Sequence, residues 1–374
     1  MPHMKQLLLF LLCACLFLTF LSGIAIAATP TTSCECSCLY LPQNNTILYD
    51  KNANRRHPMA STTKIMTALV ALENSAPSDE VIVSPMAVGI EGSSIYLTAG
   101  EHQTMEALLY ALLLESANDA AAAIAIHLGG SIEGFANMMN KKAAELGLCD
   151  THFTNPHGLA DDEHYTTAAE LARMTACAME NPHFREIVAT RRKTITVNNG
   201  EGVRALSNHN KLLRAYPDCI GVKTGFTKKS GRCLVSAAER DGMLLIAVTL
   251  DAPDDWRDHT AMLDFGFSLY EGRIPCTEYT TRLPLLCGTK DSVSLSIAEP
   301  LSFVMRKNEA PIEVQPEVNR FVIAPVEKGQ ALGRLLYKQN GKTIASVPLL
   351  CDESIAAKPV RLSLWDKIKR IFNM

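Results

Sequence analysis

The sequence predicts an α/β (α+β) body, a central antiparallel sheet flanked by helices. A small all-β C-terminal domain and a terminal amphipathic helix follow it. Three observations predict this. Helical and strand-like periodicities interleave from residue 36 to about 272. Beyond Glu271-Gly272-Arg273-Ile274-Pro275, prolines multiply and only short alternating strands remain. The final segment, VRLSLWDKIKRIFNM, places its apolar side chains on one helical face.

The chain has 374 residues, 47% apolar and 20% charged, which is globular composition with room for two domains. Its formal charge of −3 advertises no nucleic-acid partner.

The elements follow in order. A short basic start to Lys5, the apolar run Leu7 to Leu21 and the small-x-small triplet Ala25-Ile26-Ala27 form a secretory signal pattern, with the expected cut after Ala27. The alternative is an uncleaved anchor, because the apolar stretch continues to Ala28. Residues 28–272 then form the body. Helical periodicity marks 61–74, 104–114, 117–128, 131–147, 167–180 and 254–270. Strand-like runs mark 46–49, 192–198, 231–238 and 243–251. The last two flank Asp241-Gly242, a hairpin signal. Residues 273–357 form the all-β domain, where Asn340-Gly341 predicts a second tight hairpin. In 358–374, Leu364, Trp365, Ile368, Ile371 and Phe372 share a face opposite Lys367, Lys369 and Arg370. That suits a helix lying in a membrane interface, with packing back on its own domain as the alternative.

Twelve cysteines are many, and two leave with the signal. Cys34, Cys36 and Cys38 alternate as C-E-C-S-C, so on a strand they share one face. This is not the C-x2-C spacing of zinc sites. The remaining seven stand singly in apolar or strand-like contexts, and most of them read as buried free thiols. A disulfide from the 34–38 cluster stays open, with no partner that the sequence names.

Three short motifs carry chemistry. Ser61-Thr62-Thr63-Lys64 opens the first strong helix, and i, i+3 spacing lets the Lys64 amine reach the Ser61 hydroxyl. A serine attacks only when a base takes its proton, and a lysine is a base only when neutral. Burial or a neighbouring cation supplies that condition. Lys223-Thr224-Gly225 precedes the strand GRCLVSAA and offers the cation, a hydroxyl and a residue without side-chain bulk beside the strand edge. Ser116-Ala117-Asn118 sits between two helical segments, where Ser116 can relay a proton and Asn118 can hold an amide. Each motif alone is weak; their order, and the helix start and strand that carry the first and third, make the set specific.

S-x-x-K, S-x-N and K-T-G in this order resemble the penicillin-binding and serine β-lactamase superfamily. The text around them narrows the likeness: Pro58 to Thr67, Leu114 to Ala120, Phe153 to Leu159 and Gly221 to Thr227 are similar to the low-molecular-mass D-alanyl-D-alanine carboxypeptidases. The proline-rich domain and the tail resemble that family's C-terminal arrangement. The resemblance implies a penicillin-binding/β-lactamase-like transpeptidase fold and an exported enzyme at the extracytoplasmic face of a bacterial membrane. Ser61 would attack the bond between two D-alanines ending a peptidoglycan stem pentapeptide, with Lys64 as base. Ser116 would be catalytic, and the backbone N–H groups of Ser61 and Phe226 would form the oxyanion hole. Asn118, Lys223, Thr224, Gly225 and Phe226 would bind substrate. β-Lactams would acylate Ser61, and no cofactor or metal is called for. The family usually carries an apolar first strand where this chain has its cysteine cluster.

His157 and His209 read as structural or cleft-lining. A β-lactamase is the nearest rival enzyme, but 150–185 lacks the deacylating Glu-x-x-Leu-Asn pattern and the middle motif is Ser-Ala-Asn rather than Ser-Asp-Asn. An endopeptidase uses the same residues. A non-catalytic sensor of walls or β-lactams would carry a damaged motif, and all three are intact.

Overall fold

The structure is a computed structural model that describes residues 28–197, 200 and 202–359. The expected signal peptide and the tail from residue 360 lie outside the described residues. The chain divides into two compact units, with the break between Glu271 and Gly272.

The first unit opens with β1 (Cys36–Leu41) and β2 (Thr46–Lys51), then a 3-10 turn at Ala60–Thr63 leading into α1 (Lys64–Asn74). Next come β3 (Glu80–Ile82), β4 (His102–Thr104), α2 (Met105–Leu114), α3 (Asn118–Gly129) and α4 (Ile132–Glu145). α5 (Ala168–Glu180), α6 (Pro182–Ala189), β5 (Arg192–Val197), β6 (Gly202–Ser207) and the one-turn α7 (Leu212–Ala215) follow. β7 (Cys219–Thr227), β8 (Gly231–Arg240), β9 (Met243–Leu250) and α8 (Asp255–Leu269) close it.

The central sheet runs β2-β1-β9-β8-β7, antiparallel throughout. β9, MLLIAVTL, is buried at every position, so both faces of the sheet are covered. Cys36, Cys38 and Tyr40 of β1 join Ile246 and Val248 in the core against the buried helices. The other face receives α8, which approaches through Gly266: a Cβ there would lie 2.6 Å from Leu245 Cδ1 and 3.1 Å from Leu39 Cδ2. The β8–β9 turn has Asp241 at φ 51° and Gly242 at φ 76°, the paired left-handed geometry that an Asp-Gly hairpin adopts.

α1 is buried from Lys64 to Ala71, which accounts for its almost unbroken apolar sequence. The periodicity predicts regular helix from residue 61, but the first residues form the tighter 3-10 turn, with Ala60 at φ 48°. α6 lies outside the helices that periodicity marks. Asn181 begins it by accepting from His183 and Phe184 backbone N–H groups, and Pro182 takes the first helical position.

The second unit is all-β. Its six strands are β11 (Thr280–Leu286), β12 (Ser292–Ile297), β14 (Glu313–Val318), β15 (Val322–Ile323), β16 (Ala331–Gln339) and β17 (Lys342–Cys351), with β10 (Tyr270–Arg273) at the break and β13 (Phe303–Arg306) as separate short strands. They order as β14-β16-β17-β12-β11-β15, antiparallel except for β11 with β15. Leu283, Val293, Leu295, Leu335, Tyr337 and Leu349 alternate inward to form its core. Pro316 sits on edge strand β14, where a missing N–H is tolerated. Asn340 and Gly341, at φ 51° and 75°, make the expected tight hairpin.

Every cysteine among the described residues is a free thiol. Burial pushes the thiols of Cys36 up to about 11 and of Cys38 and Cys233 up to about 12, so they stay protonated and unreactive. Cys149 and Cys287 are exposed and Cys177 and Cys276 half-buried, so of the seven single cysteines only Cys219, Cys233 and Cys351 meet the expectation of burial. An aromatic disulfide reagent added to the native protein is therefore expected to titrate Cys149 and Cys287 first. Cys38 and Cys233 should react only after urea unfolding. A shortfall of free thiols in the unfolded chain would contradict this arrangement.

Candidate active site

The site forms where the 3-10 turn, the α2–α3 connection and β7 converge. Ser61 lies in the turn, one residue after the left-handed Ala60. Three hydrogen bonds lock that turn. Thr62 Oγ1 donates to the Met59 carbonyl at 2.6 Å and Thr63 Oγ1 to the Ala60 carbonyl at 2.8 Å. His164 Nε2 sits 2.7 Å from Thr63 Oγ1.

Lys64 follows at the start of α1 and is fully buried. Its Nζ lies 3.1 Å from Ser61 Oγ, 2.7 Å from Asn118 Oδ1 and 2.6 Å from the His157 carbonyl oxygen. Asn118 Oδ1 and the carbonyl can only accept. A neutral amine has two hydrogens and one lone pair, so donating to those two acceptors leaves the lone pair for the Ser61 hydroxyl. Burial above all, and then the charge of Lys223, push the Lys64 amine well below its ordinary range. Asp119 opposes this.

The middle motif is a sharp connection. Ser116 has φ 61° and is buried, while Ala117 and Asn118 open α3. Asn118 Nδ2 donates to the Glu91 carbonyl at 2.5 Å. One of its two N–H groups is thus spent on the 91–97 loop, and the other remains for a ligand. Asp119 is buried and carries no reacting role. It accepts from Ser94 Oγ at 2.6 Å and from the backbone N–H groups of Ile95 and Leu97 at 3.3 and 3.0 Å. Sequence reasoning passed over it, although an acid following S-x-N in a helix's first turn was visible.

β7 supplies the third wall. Lys223 is buried, and its Nζ donates to the Thr224 carbonyl at 2.8 Å. Burial lowers its amine to about 7, against the pull of Glu115. Gly225 is where the strand meets the turn: a Cβ there would lie 2.9 Å from Ser61 N and 3.2 Å from Thr62 N. Any side chain would therefore push the strand edge off the Ser61 amide. Phe226 follows with its ring exposed.

Ser61, Ser116, Thr224, Gly225 and Phe226 line one cleft of about 420 Å³. Lys64 and Lys223 lie beneath it, joined to its lining by the contacts above. The cleft adds residues that no motif marked: Ser93, Lys211, Arg232 and Trp256. Arg232 is paired with Asp255 at 3.0 Å. His209 lines the cleft and pairs with Glu115 at 3.2 Å. His157 is structural at its ring: burial lowers it to about 3, and its Nδ1 accepts from Leu159 N at 3.3 Å. Its carbonyl, which no side-chain pattern reveals, is one of the two oxygens that hold Lys64.

A serine hydroxyl facing a buried lysine, with a second buried lysine on the adjacent strand, defines a serine hydrolase that works through an acyl-enzyme. The chain matches the D-alanyl-D-alanine carboxypeptidase family model over residues 26–254 and the "Penicillin-binding protein 5, C-terminal domain" model over 278–357. It is 34% identical to D-alanyl-D-alanine carboxypeptidase DacF of Bacillus subtilis, over 94% of this chain and 95% of that one. Among solved structures, the DD-transpeptidase of Streptomyces K15 superposes with a TM-score of 0.62 at 33% identity, over 65% of this chain and 100% of that chain. The carboxypeptidase DacD of Francisella tularensis shares the fold, with a TM-score of 0.63 at 24% identity, over 90% of this chain and 97% of that one. The chain belongs to the D-alanyl-D-alanine carboxypeptidase family.

Gly225 provides a direct check on this geometry. Gly225→Ala is expected to slow labelling of Ser61 by a fluorescent penicillin by about 100-fold, the scale of a misplacement near 1 Å. The same clash should cost about 1–3 kcal/mol of stability, leaving the protein folded for the assay. Labelling at the parental rate would show that the strand edge does not need to touch the turn.

Proposed function

We propose that this serine-type D-Ala-D-Ala carboxypeptidase removes the terminal D-alanine of peptidoglycan stem peptides through an acyl-enzyme on Ser61. The observation that carries the reading is the buried Lys64 amine, 3.1 Å from Ser61 Oγ with both of its hydrogens committed elsewhere. Neutral Lys64 accepts the Ser61 proton as Oγ attacks the carbonyl carbon of the penultimate D-alanine. The oxyanion that forms is held between the N–H groups of Ser61 and Phe226, beside the close approach of Gly225 to the Ser61 amide. Lys223 and Thr224 hold the substrate's terminal carboxylate. Ser116, on its left-handed corner, passes a proton to the departing amine. Asn118 places its remaining N–H toward the substrate amide. Water then cleaves the ester and frees Ser61. β-Lactams present the same acyl carbon and the same carboxylate, so they acylate Ser61 as inhibitors.

Export belongs to the same reading, with 1–27 as signal peptide, 28–272 as catalytic domain, 273–357 as the all-β domain and 358–374 as a membrane-associating helix. The supports are the cleavage pattern at Ala25-Ile26-Ala27 and the basic amphipathic pattern of the tail. Among the described residues no helix is long and apolar enough to cross a membrane.

Incubating the purified protein with a pentapeptide ending in D-Ala-D-Ala is expected to release free D-alanine. Ser61→Ala should lose both this release and penicillin labelling. A Ser61→Ala protein that still releases D-alanine would contradict the mechanism. Cleavage of cross-linked dimers without D-alanine release would move the activity to endopeptidase.

The pH dependence has a definite sign. With its amine lowered to about 7, Lys223 is charged below that pH and loses its charge above it. The substrate carboxylate needs that charge, so KM is expected to rise as pH climbs past 7. Arginine stays charged throughout, so in Lys223→Arg this alkaline rise should flatten, whatever the variant's absolute rate. A KM profile unchanged in shape would assign carboxylate binding to another group.

A further inference from the structure

A second cluster of ligating side chains lies in the first unit, outside the cleft. Glu35, His57 and Asp251 bring a carboxylate oxygen, a ring nitrogen and another carboxylate oxygen within 4.8 Å of one another. They come from three segments. Glu35 immediately precedes β1, and Asp251 immediately follows β9. The β1–β9 pairing sets them side by side, with Glu35 N donating to the Leu250 and Asp251 carbonyls at 3.2 and 3.0 Å. His57 stands four residues ahead of Ser61, its backbone N–H bonded to the Thr166 carbonyl at 2.8 Å.

The hydrogen-bond partners of His57 call for positive charge at Nε2. Its Nδ1 sits 2.8 Å from the Pro58 carbonyl oxygen, which only accepts, so Nδ1 carries the proton. A neutral ring then has a lone pair at Nε2. Nε2 lies 3.3 Å from Glu35 Oε2, and a carboxylate also only accepts. Two lone pairs therefore face each other unless positive charge stands between them. Arg55 pairs with the other oxygen of Glu35, Oε1, and leaves Oε2 to His57. The Asp251 side chain makes no hydrogen bond or ion pair among the described residues.

We propose that His57 Nε2, Glu35 Oε2 and the Asp251 carboxylate bind a divalent metal ion of the zinc class. One nitrogen and two carboxylate oxygens suit that ion, with water in the fourth position. Tetrahedral ligands at zinc distances stand about 3.4 Å apart, which the His57–Glu35 pair already meets. An Nδ1–H held by a backbone carbonyl is also how ligating histidines fix their tautomer. The ion clamps the start of β1 and the end of β9 to the segment Pro58-Met59-Ala60 that delivers Ser61. It touches none of the reacting atoms, so its effect is on stability.

The test is titration of the chelator-treated protein with Zn2+ by calorimetry and thermal unfolding. A Cys149→Ser/Cys287→Ser background removes the exposed thiols. One Zn2+ should bind per chain and raise the melting temperature, and Co2+ should give a four-coordinate visible spectrum. His57→Gln and Asp251→Asn should each weaken Zn2+ binding by about tenfold or more. Asp251→Asn, at a partly exposed position, keeps the test open should His57→Gln fail to fold, and circular dichroism without metal shows which occurred. Absence of saturable Zn2+ binding would overturn the proposal. Binding that survives both substitutions would overturn it by placing the ion elsewhere.

Discussion

Burial of one amine organises the catalytic unit. An ammonium taken out of water is costly, and the cost falls when the group gives up its proton. Lys64 is placed so that the neutral form is the satisfied one. Two oxygens from different segments, Asn118 Oδ1 and the His157 carbonyl, take its hydrogens. That leaves Ser61 as the direction in which its lone pair acts. The surrounding fold can be read as the means of keeping this arrangement dry and fixed. α1 is buried over two turns, and the 91–97 loop is drawn onto Asp119 and Asn118 beside it.

The second constraint is the distance between β7 and the nucleophile turn. Strand and turn approach so closely at Gly225 that a single added carbon would meet the Ser61 amide. This contact brings Lys223 near enough to Lys64 for its charge to matter, so one approach sets both the distance from the strand to the Ser61 amide and part of the downward push on the Lys64 amine. The sheet can hold β7 there because β8 and β9 behind it are anchored from both faces.

Much of this was legible in the sequence. S-x-x-K places serine and lysine one helical turn apart, and their contact follows from i, i+3 geometry alone. Asp-Gly and Asn-Gly placed both hairpins, because few other pairs accept two left-handed residues in a row. What escaped depended on tertiary closure. The His157 carbonyl is a backbone atom, so no residue type marks it. α6 is short, and its start signal, Asn181-Pro182, was hidden behind a reading based on periodicity. The C-x-C-x-C run foretold a shared face for Cys36 and Cys38. It did not show that Glu35 between two of these cysteines would meet His57, whose partners come from distant segments.

Burial beside a second lysine holds the Lys64 amine well below the ordinary lysine range. Following the Lys64 side-chain carbon signals by NMR across a pH titration of selectively labelled protein tests it most directly. The structure predicts a midpoint well below the 10.5 of a free lysine, moving upward when Lys223→Met removes the neighbouring charge. A Lys64 that titrates near 10.5, unchanged by that substitution, would contradict it.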